Sequence, residues 1–143
     1  MDINKIKKWF EIAIPSPTLD HACVQVGCHF EEVAEMLNAL GDDYDAVEMH
    51  DTATAYKTKS HNFLKTIELL SESDKIELLD SIADQITTSI GIAHMLGLDI
   101  SGALKEVNRS NFSKFEDGEP VFDSNGKITK GKNYTPPNLK PFV

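Results

Sequence analysis

Apolar residues recur at helical spacing through most of the chain. Ile6, Trp9, Phe10 and Ala13 share one side of the segment from Asn4 to Ala13, which predicts a short amphipathic helix. It should stop at Pro15-Ser16-Pro17, because proline lacks a backbone donor and pushes its predecessor out of helical space. Val26, Phe30, Val33, Leu37 and Leu40 predict a second helix, capped by Thr18 or Asp20 and ended by Gly41. Asp42-Asp43 reads as a loop. Tyr56, Phe63, Leu64, Ile67 and Leu70 then place a third helix from about Thr52 to Leu70. A fourth is expected to be capped by Ser73 or Asp74 and to run to Leu96. Its second half carries no charge after Asp84, so it is expected to be central and buried. Gly97 closes it, and Asp99-Ile100-Ser101 opens a fifth helix to about Asn108.

Beyond Phe115 the pattern changes. Asp117-Gly118, Asn125-Gly126 and Pro136-Pro137 are turn formers, and Val121-Phe122 and Lys127-Ile128-Thr129 flank the Asn-Gly pair. That combination predicts a β-hairpin, followed by an extended arm to Val143. The expected architecture is all-α: a bundle of four or five helices over about 2–115, with a small C-terminal β-hairpin and tail over 116–143. With 143 residues and no internal repeat or low-complexity linker, a single domain spanning 1–143 is expected.

Composition adds three constraints. A hydrophobic fraction of 41% supports a core, but a helical domain this small often completes its apolar burial by pairing with copies of itself. A homo-oligomer is therefore expected. The formal net charge of -9 repels the nucleic-acid backbone and argues against a nucleic-acid partner, while phosphates remain accessible through bridging cations. The opening Met1-Asp2-Ile3-Asn4-Lys5 lacks a signal-peptide core, and no segment approaches the roughly 18 apolar residues of a membrane span. Cys23 and Cys28 have neither a CxxC partner nor zinc-type spacing, so both are expected as reduced thiols in a cytoplasmic protein without a membrane association.

Two acidic groups stand out against this background. In Phe30-Glu31-Glu32-Val33-Ala34-Glu35, Glu32 and Glu35 are three apart and emerge from one helix face, with Glu31 within reach of the same edge. Downstream, Glu77, Asp80 and Asp84 form one stripe among Leu79, Ile82, Ala83 and Ile86. Carboxylates beside an apolar face normally require cations or proton sharing. Were the two helices to meet, an all-oxygen donor set would favour magnesium, or manganese as a substitute, with positions left for substrate phosphates. The competing structural accounts are a solvated acidic face for Glu31 to Glu35 and, for Asp80 and Asp84, a salt bridge to Lys59 or Lys65. A third group, Glu106 to Lys114, packs Arg109, Asn111, Ser113 and Lys114 near a helix end, with Lys127, Lys130 and Lys132 following. These types bind phosphate oxygens, although cations at a helix C-terminus also serve the helix dipole alone.

The EExxE at Glu31, Glu32 and Glu35, the acidic helix ending at Asp84, and the run Val107-Asn108-Arg109-Ser110-Asn111-Phe112-Ser113-Lys114 together resemble the MazG-like all-α nucleoside triphosphate pyrophosphohydrolases. Asp117-Gly118, Gly126-Lys127, Lys130-Gly131 and Tyr134-Thr135-Pro136-Pro137 extend the likeness to the phage and bacterial phosphoribosyl-ATP pyrophosphohydrolase-like branch, related to dimeric dUTPases. It covers roughly Phe30 to Leu139. The resemblance implies a helical bundle assembling as a homodimer or homotetramer, in the host cytoplasm if phage-encoded. It also implies Mg2+ held by Glu32 and Glu35, with Glu31 or Glu35 orienting the attacking water. The family's second motif, ExxD, is matched by Glu77 and Asp80, or by Asp84 with Ser81 in place of the glutamate; all three acidic residues stay candidates. Arg109, Asn111, Lys114, Lys127 and Lys130 are the implied phosphate-binding residues.

The implied reaction is metal-dependent cleavage of a nucleoside triphosphate to monophosphate and pyrophosphate, with a deoxynucleotide such as dGTP as the leading substrate. Alternatives are dUTP or dCTP pyrophosphatase, phosphoribosyl-ATP hydrolysis and, outside enzymes, a helical interaction module. Trp9, Phe10 and Phe30 are either base-stacking or core residues. His94, in an apolar helix, is expected as a hydrogen-bonded core residue.

Overall fold

The computed structural model describes residues 3–143. Among these, six α-helices and one 3-10 turn account for the regular structure: α1 (Ile3–Ala13), α2 (Leu19–Leu40), α3 (Asp43–Lys57), α4 (His61–Glu68), α5 (Glu72–Met95), α6 (Ile100–Phe112) and the 3-10 turn Lys140–Phe142. The chain is mostly helical, as its apolar periodicity predicts. It divides into two compact units. One comprises Met1–Pro15, Ser71–Val121 and Ile128–Val143; the other comprises Ser16–Leu70 and Phe122–Lys127.

In the second unit, α2 begins where Thr18 caps it. The Thr18 hydroxyl accepts from the His21 backbone, while the Thr18 N–H donates to the His21 ring Nδ1, so two groups otherwise orphaned at the helix start are satisfied. Gly41 ends the helix in the left-handed conformation at φ 86, which glycine adopts without a Cβ penalty. Asp42-Asp43 is not a loop as expected. Asp42 is a cap whose carboxylate accepts from the Asp45 N–H at 3.3 Å, so α3 starts at once, nine residues earlier than the predicted Thr52 (52 − 43). The predicted third helix is instead two. Its break falls at Thr58-Lys59-Ser60, where Lys59 adopts φ 55 without being glycine.

Helices α2 and α3 pack through small residues: Cys23, Ala34, Ala46 and Ala53 are all fully covered. At Gly27 the backbones of the two helices approach closely. A Cβ there would stand 2.6 Å from the Ala53 carbonyl oxygen, too close for any side chain without a shift. The Cys23 thiol donates to the Tyr56 carbonyl at 3.3 Å, and burial pushes its pKa up. Both cysteines are free thiols, as expected.

In the first unit, α1 packs on α6, and Trp9 is buried against the segment that follows α6. The Trp9 ring stacks on Phe115 at 5.7 Å and meets Phe10 edge-on at 4.9 Å, so it is a core residue rather than a base platform. Helix α5 contacts α6, but its long N-terminal part departs from expectation. It is capped by Ser71, three residues before Asp74, in a reciprocal capping box rather than by Ser73 or Asp74. It is exposed rather than buried: Ile76, Leu79, Ile82 and Ile86 are 63%, 68%, 46% and 45% exposed, and Ala93 is its one buried residue. His94 is exposed with it. No other element of the described residues covers this apolar surface.

The β-hairpin is also absent, since the described residues contain no strand. An isolated bridge joins Glu116 to Glu119, and Asp123–Lys127 forms a turn in which the Asp123 carboxylate accepts from the Asn125 and Lys127 N–H groups, each at 2.9 Å. That side chain anchors the turn, and its flanks are joined by backbone bonds from the Asp123 N–H to the Lys127 carbonyl at 2.9 Å and from the Thr129 N–H to the Val121 carbonyl at 2.7 Å, without a regular strand. The C-terminal segment is not a free arm either. Thr135 and Pro136 bond to α6, and the Phe142 carbonyl accepts from the Asp99 N–H at 2.9 Å.

Candidate functional site

The structure sorts the predicted site residues into the two units. Glu31, Glu32 and Glu35 lie on α2 and Lys127 on the turn of the second unit, whereas Glu77, Asp80, Asp84, Arg109, Asn111, Lys114 and Lys130 lie in the first. Within the second unit, Glu31 is the centre of an ion cluster. Its Oε1 accepts from Lys57 Nζ at 2.7 Å and its Oε2 from Lys127 Nζ at 2.6 Å. All three side chains are shielded, at 21% exposure for Glu31, 18% for Lys57 and 38% for Lys127. Burial raises the Glu31 pKa, but the hydrogen bonds from Lys127 and Lys57 outweigh it, and the carboxyl sits below its usual value. Burial likewise opposes the charge on Lys127, yet Glu31, with help from Cys28 and Glu32, holds that ammonium above its ordinary pKa. Glu31 is therefore charged and committed to two cations. Lys57 gave no signal in the sequence, because its register only becomes meaningful once α3 is known to start at Asp43.

Glu32 and Glu35 are exposed on α2. The helix paired with α2 carries an acidic pair at the same spacing, Glu48 and Asp51, also exposed. The positions match across the hairpin. Glu35 is six residues before Gly41 and Glu48 six after Asp42; Glu32 is nine before and Asp51 nine after (41 − 35 = 48 − 42; 41 − 32 = 51 − 42). At about 1.5 Å of rise per residue, each pair lies at one height above the turn. The sequence reading missed Glu48 and Asp51 by taking 42–51 as lying outside any helix. Their literal ExxD spacing was the available signal. Glu77, Asp80 and Asp84 are exposed along α5, and Lys59, one expected partner for them, pairs instead with Asp20 at 3.5 Å.

The predicted phosphate binders of the first unit are occupied. Arg109 grips Glu106 through two hydrogen bonds of 2.8 Å and also donates to Thr135 Oγ1 and the Pro136 carbonyl. That guanidinium, with the Asn138 N–H, lowers the Glu106 pKa to about 2. Lys114 lies over the Trp9 ring at 5.9 Å and Lys130 over the Tyr134 ring at 4.9 Å. Asn111 is half-buried near the end of α6. Arg109 in particular ties the C-terminal segment to α6. Phe30 stacks at an angle on Tyr56, which in turn stacks on Phe63 at 4.0 Å, so it too belongs to internal packing.

Among the described residues no three His, Cys, Asp or Glu side chains are gathered as an ion would hold them. The donor chemistry nonetheless suits a hard cation. Magnesium keeps several waters and takes one or two carboxylates, a demand that the acidic pairs of α2 and α3 meet in kind. A separate cleft of about 400 Å³ between the start of α2 and α4, lined by Leu19, Asp20, His61, Leu64, Lys65 and Glu68, contains none of these residues. No described helix is long and apolar enough to cross a membrane.

Comparison with known proteins adds no relative. No family model, curated protein or solved structure matches the chain.

Proposed function

We propose that the chain is a magnesium-dependent nucleoside triphosphate pyrophosphohydrolase, acting at the α2–α3 hairpin and releasing a nucleoside monophosphate and pyrophosphate. The observation that carries this reading is the matched placement of Glu32 and Glu35 on α2 with Glu48 and Asp51 on α3, beside Lys57 and Lys127. It supports moving the second acidic pair of the MazG-like pattern from α5 to α3. The helix already paired with α2 carries ExxD without an exception, whereas the Asp84 register requires Ser81 in place of a glutamate.

On this reading carboxylates drawn from Glu32, Glu35, Glu48 and Asp51 would hold the cation, one or two to an ion, and manganese is the natural substitute. The bound ion supplies charge neutralisation for the triphosphate and a water of lowered pKa. Glu35, exposed on α2, would orient an attacking water in line with phosphorus. Lys127 and Lys57 offset the charge that develops on the departing phosphates. Arg109 serves the fold, through Glu106 and the C-terminal segment. A deoxynucleotide such as dGTP is the substrate proposed first. Homo-oligomers are proposed as well, with a second copy covering the exposed Ile76, Leu79, Ile82 and Ile86 of α5; the cytoplasm is the proposed location.

The test is release of pyrophosphate from each common ribo- and deoxynucleoside triphosphate, with magnesium and with a chelator. Magnesium-dependent pyrophosphate together with monophosphate is expected. Orthophosphate would place the cleavage elsewhere. No turnover with any triphosphate would favour a helical interaction module.

A further inference from the structure

Glu31, Lys57 and Lys127 come from three separate segments: α2, the last residue of α3, and the turn at Asp123–Lys127. Both lysine backbones are fixed before any ligand arrives. Lys57 ends a helix packed along α2, and the Lys127 N–H is held by the Asp123 carboxylate at 2.9 Å. An ammonium has three N–H donors, so with one committed to Glu31 each lysine keeps two. The lysines bond to different oxygens of one carboxylate, Oε1 and Oε2. They therefore flank an anion the size of a carboxylate. A phosphoryl group presents oxygens at a similar separation, with more charge and more acceptor positions, and competes for the same donors.

Building on the reading above for its substrate class, we propose that Lys57 and Lys127 form a subsite for the pyrophosphate end of a polyphosphate, which Glu31 fills as an internal counter-ion until the ligand displaces it. Glu31 is then neither a cation ligand nor a base in the resting protein. It keeps two half-shielded ammonium groups charged and close to one carboxylate, and it sets a threshold that only a multiply charged anion overcomes. Its displaced carboxylate remains next to Glu32 and four residues before Glu35 on the same helix.

The experiment is calorimetric titration of the full chain with inorganic pyrophosphate in the presence of a chelator. The wild type binds weakly. Glu31→Gln binds about tenfold tighter, because the competitor for the lysines is gone, whereas Glu68→Gln, which removes the same charge from α4, leaves the affinity unchanged. Lys57→Met and Lys127→Met each weaken binding by about tenfold or more, and Lys57→Arg retains it. A cluster that merely braces the fold gives the opposite pattern: Glu31→Gln no tighter than wild type, and Lys127→Met indistinguishable from it. Should Glu31→Gln fail to fold, Lys127→Met still decides, because its side chain is on a surface turn. The expected variant order without any triphosphate hydrolysis would keep the lysine subsite and remove the proposed activity. Hydrolysis with pyrophosphate binding equal in all variants would remove the subsite alone.

Discussion

Helices α2 and α5 carry the same sequence signal, carboxylates at steps of three and four beside apolar residues, and the structure treats them differently. On α2 the apolar positions include Cys23, Gly27 and Ala34, small enough for α3 to approach within backbone distance, and one carboxylate, Glu31, is enclosed with two lysines. On α5 the apolar positions are Ile76, Leu79, Ile82 and Ile86, large and at steps of three and four along one face, and all are exposed together with Glu77, Asp80 and Asp84. Small residues mark a helix whose partner lies within the chain. A stripe of large aliphatics marks a surface that the described residues leave uncovered, and acidic spacing alone does not distinguish the two.

The largest expected effect concerns whether α5 finds its partner in a second copy. Gel filtration at micromolar concentration should show a species larger than the 15.9 kDa chain, and Leu79→Ser with Ile86→Ser should return it to a monomer. A wild-type monomer would mean that the α5 surface is not a self-interface. Next in size is the close approach on α2. Gly27→Ala should lower the stability of the second unit by about 1–3 kcal/mol in urea unfolding, since its Cβ would meet the Ala53 carbonyl at 2.6 Å; the same change at helical Gly91, where a Cβ meets nothing within 4 Å, should stabilise or leave stability unaltered. Equal effects at the two sites would contradict the packing account.

Smaller effects separate the two ion clusters by pH. Glu31 has a lowered pKa in the folded protein, so the stability it lends is present above its ordinary value of 4.5 and is lost as the pH falls through the folded value. Glu31→Gln should therefore cost most at neutral pH and least near pH 3. Glu106, lowered to about 2, should retain part of its contribution further into acid, losing it between about 4.5 and 2, so Glu106→Gln should flatten the acid limb below that of Glu31→Gln. Unfolding midpoints across this range that run parallel for wild type and both variants would show that neither pair stabilises the fold.

Much of the fold was legible because the relevant signals are local. Thr18 before an apolar-periodic run and Gly41 after it bracket α2 by capping chemistry that depends on neighbours a few residues away. The start of α3 was hidden because Asp42 reads equally as a loop residue or a cap, and only the Asp45 N–H it accepts from decides. The break before α4 has no glycine or proline to announce it, since Lys59 takes up the positive φ itself. The hairpin was legible only in its turn: Asn125-Gly126 reverses the chain and backbone bonds join Asp123 to Lys127 and Thr129 to Val121, but the Asp123 side chain takes up the Asn125 and Lys127 N–H groups and the described residues extend no strand from them. At the candidate site, Lys127 was legible as a cation near glycine. Lys57 and the pair Glu48 and Asp51 depended on the register of a helix whose start had been misplaced. The burial of α5 was illegible because an apolar helix does not encode whether its cover is in the same chain.

The measurement that bears most directly on function is the rate of pyrophosphate release from the best triphosphate, with magnesium, for the wild type beside Glu35→Gln, Asp51→Asn and Asp84→Asn. Cleavage at the α2–α3 hairpin predicts losses at least on the order of 100-fold for Glu35→Gln and Asp51→Asn, with Asp84→Asn close to wild type. Full turnover by Asp51→Asn together with loss in Asp84→Asn would contradict it and return the second acidic pair to α5.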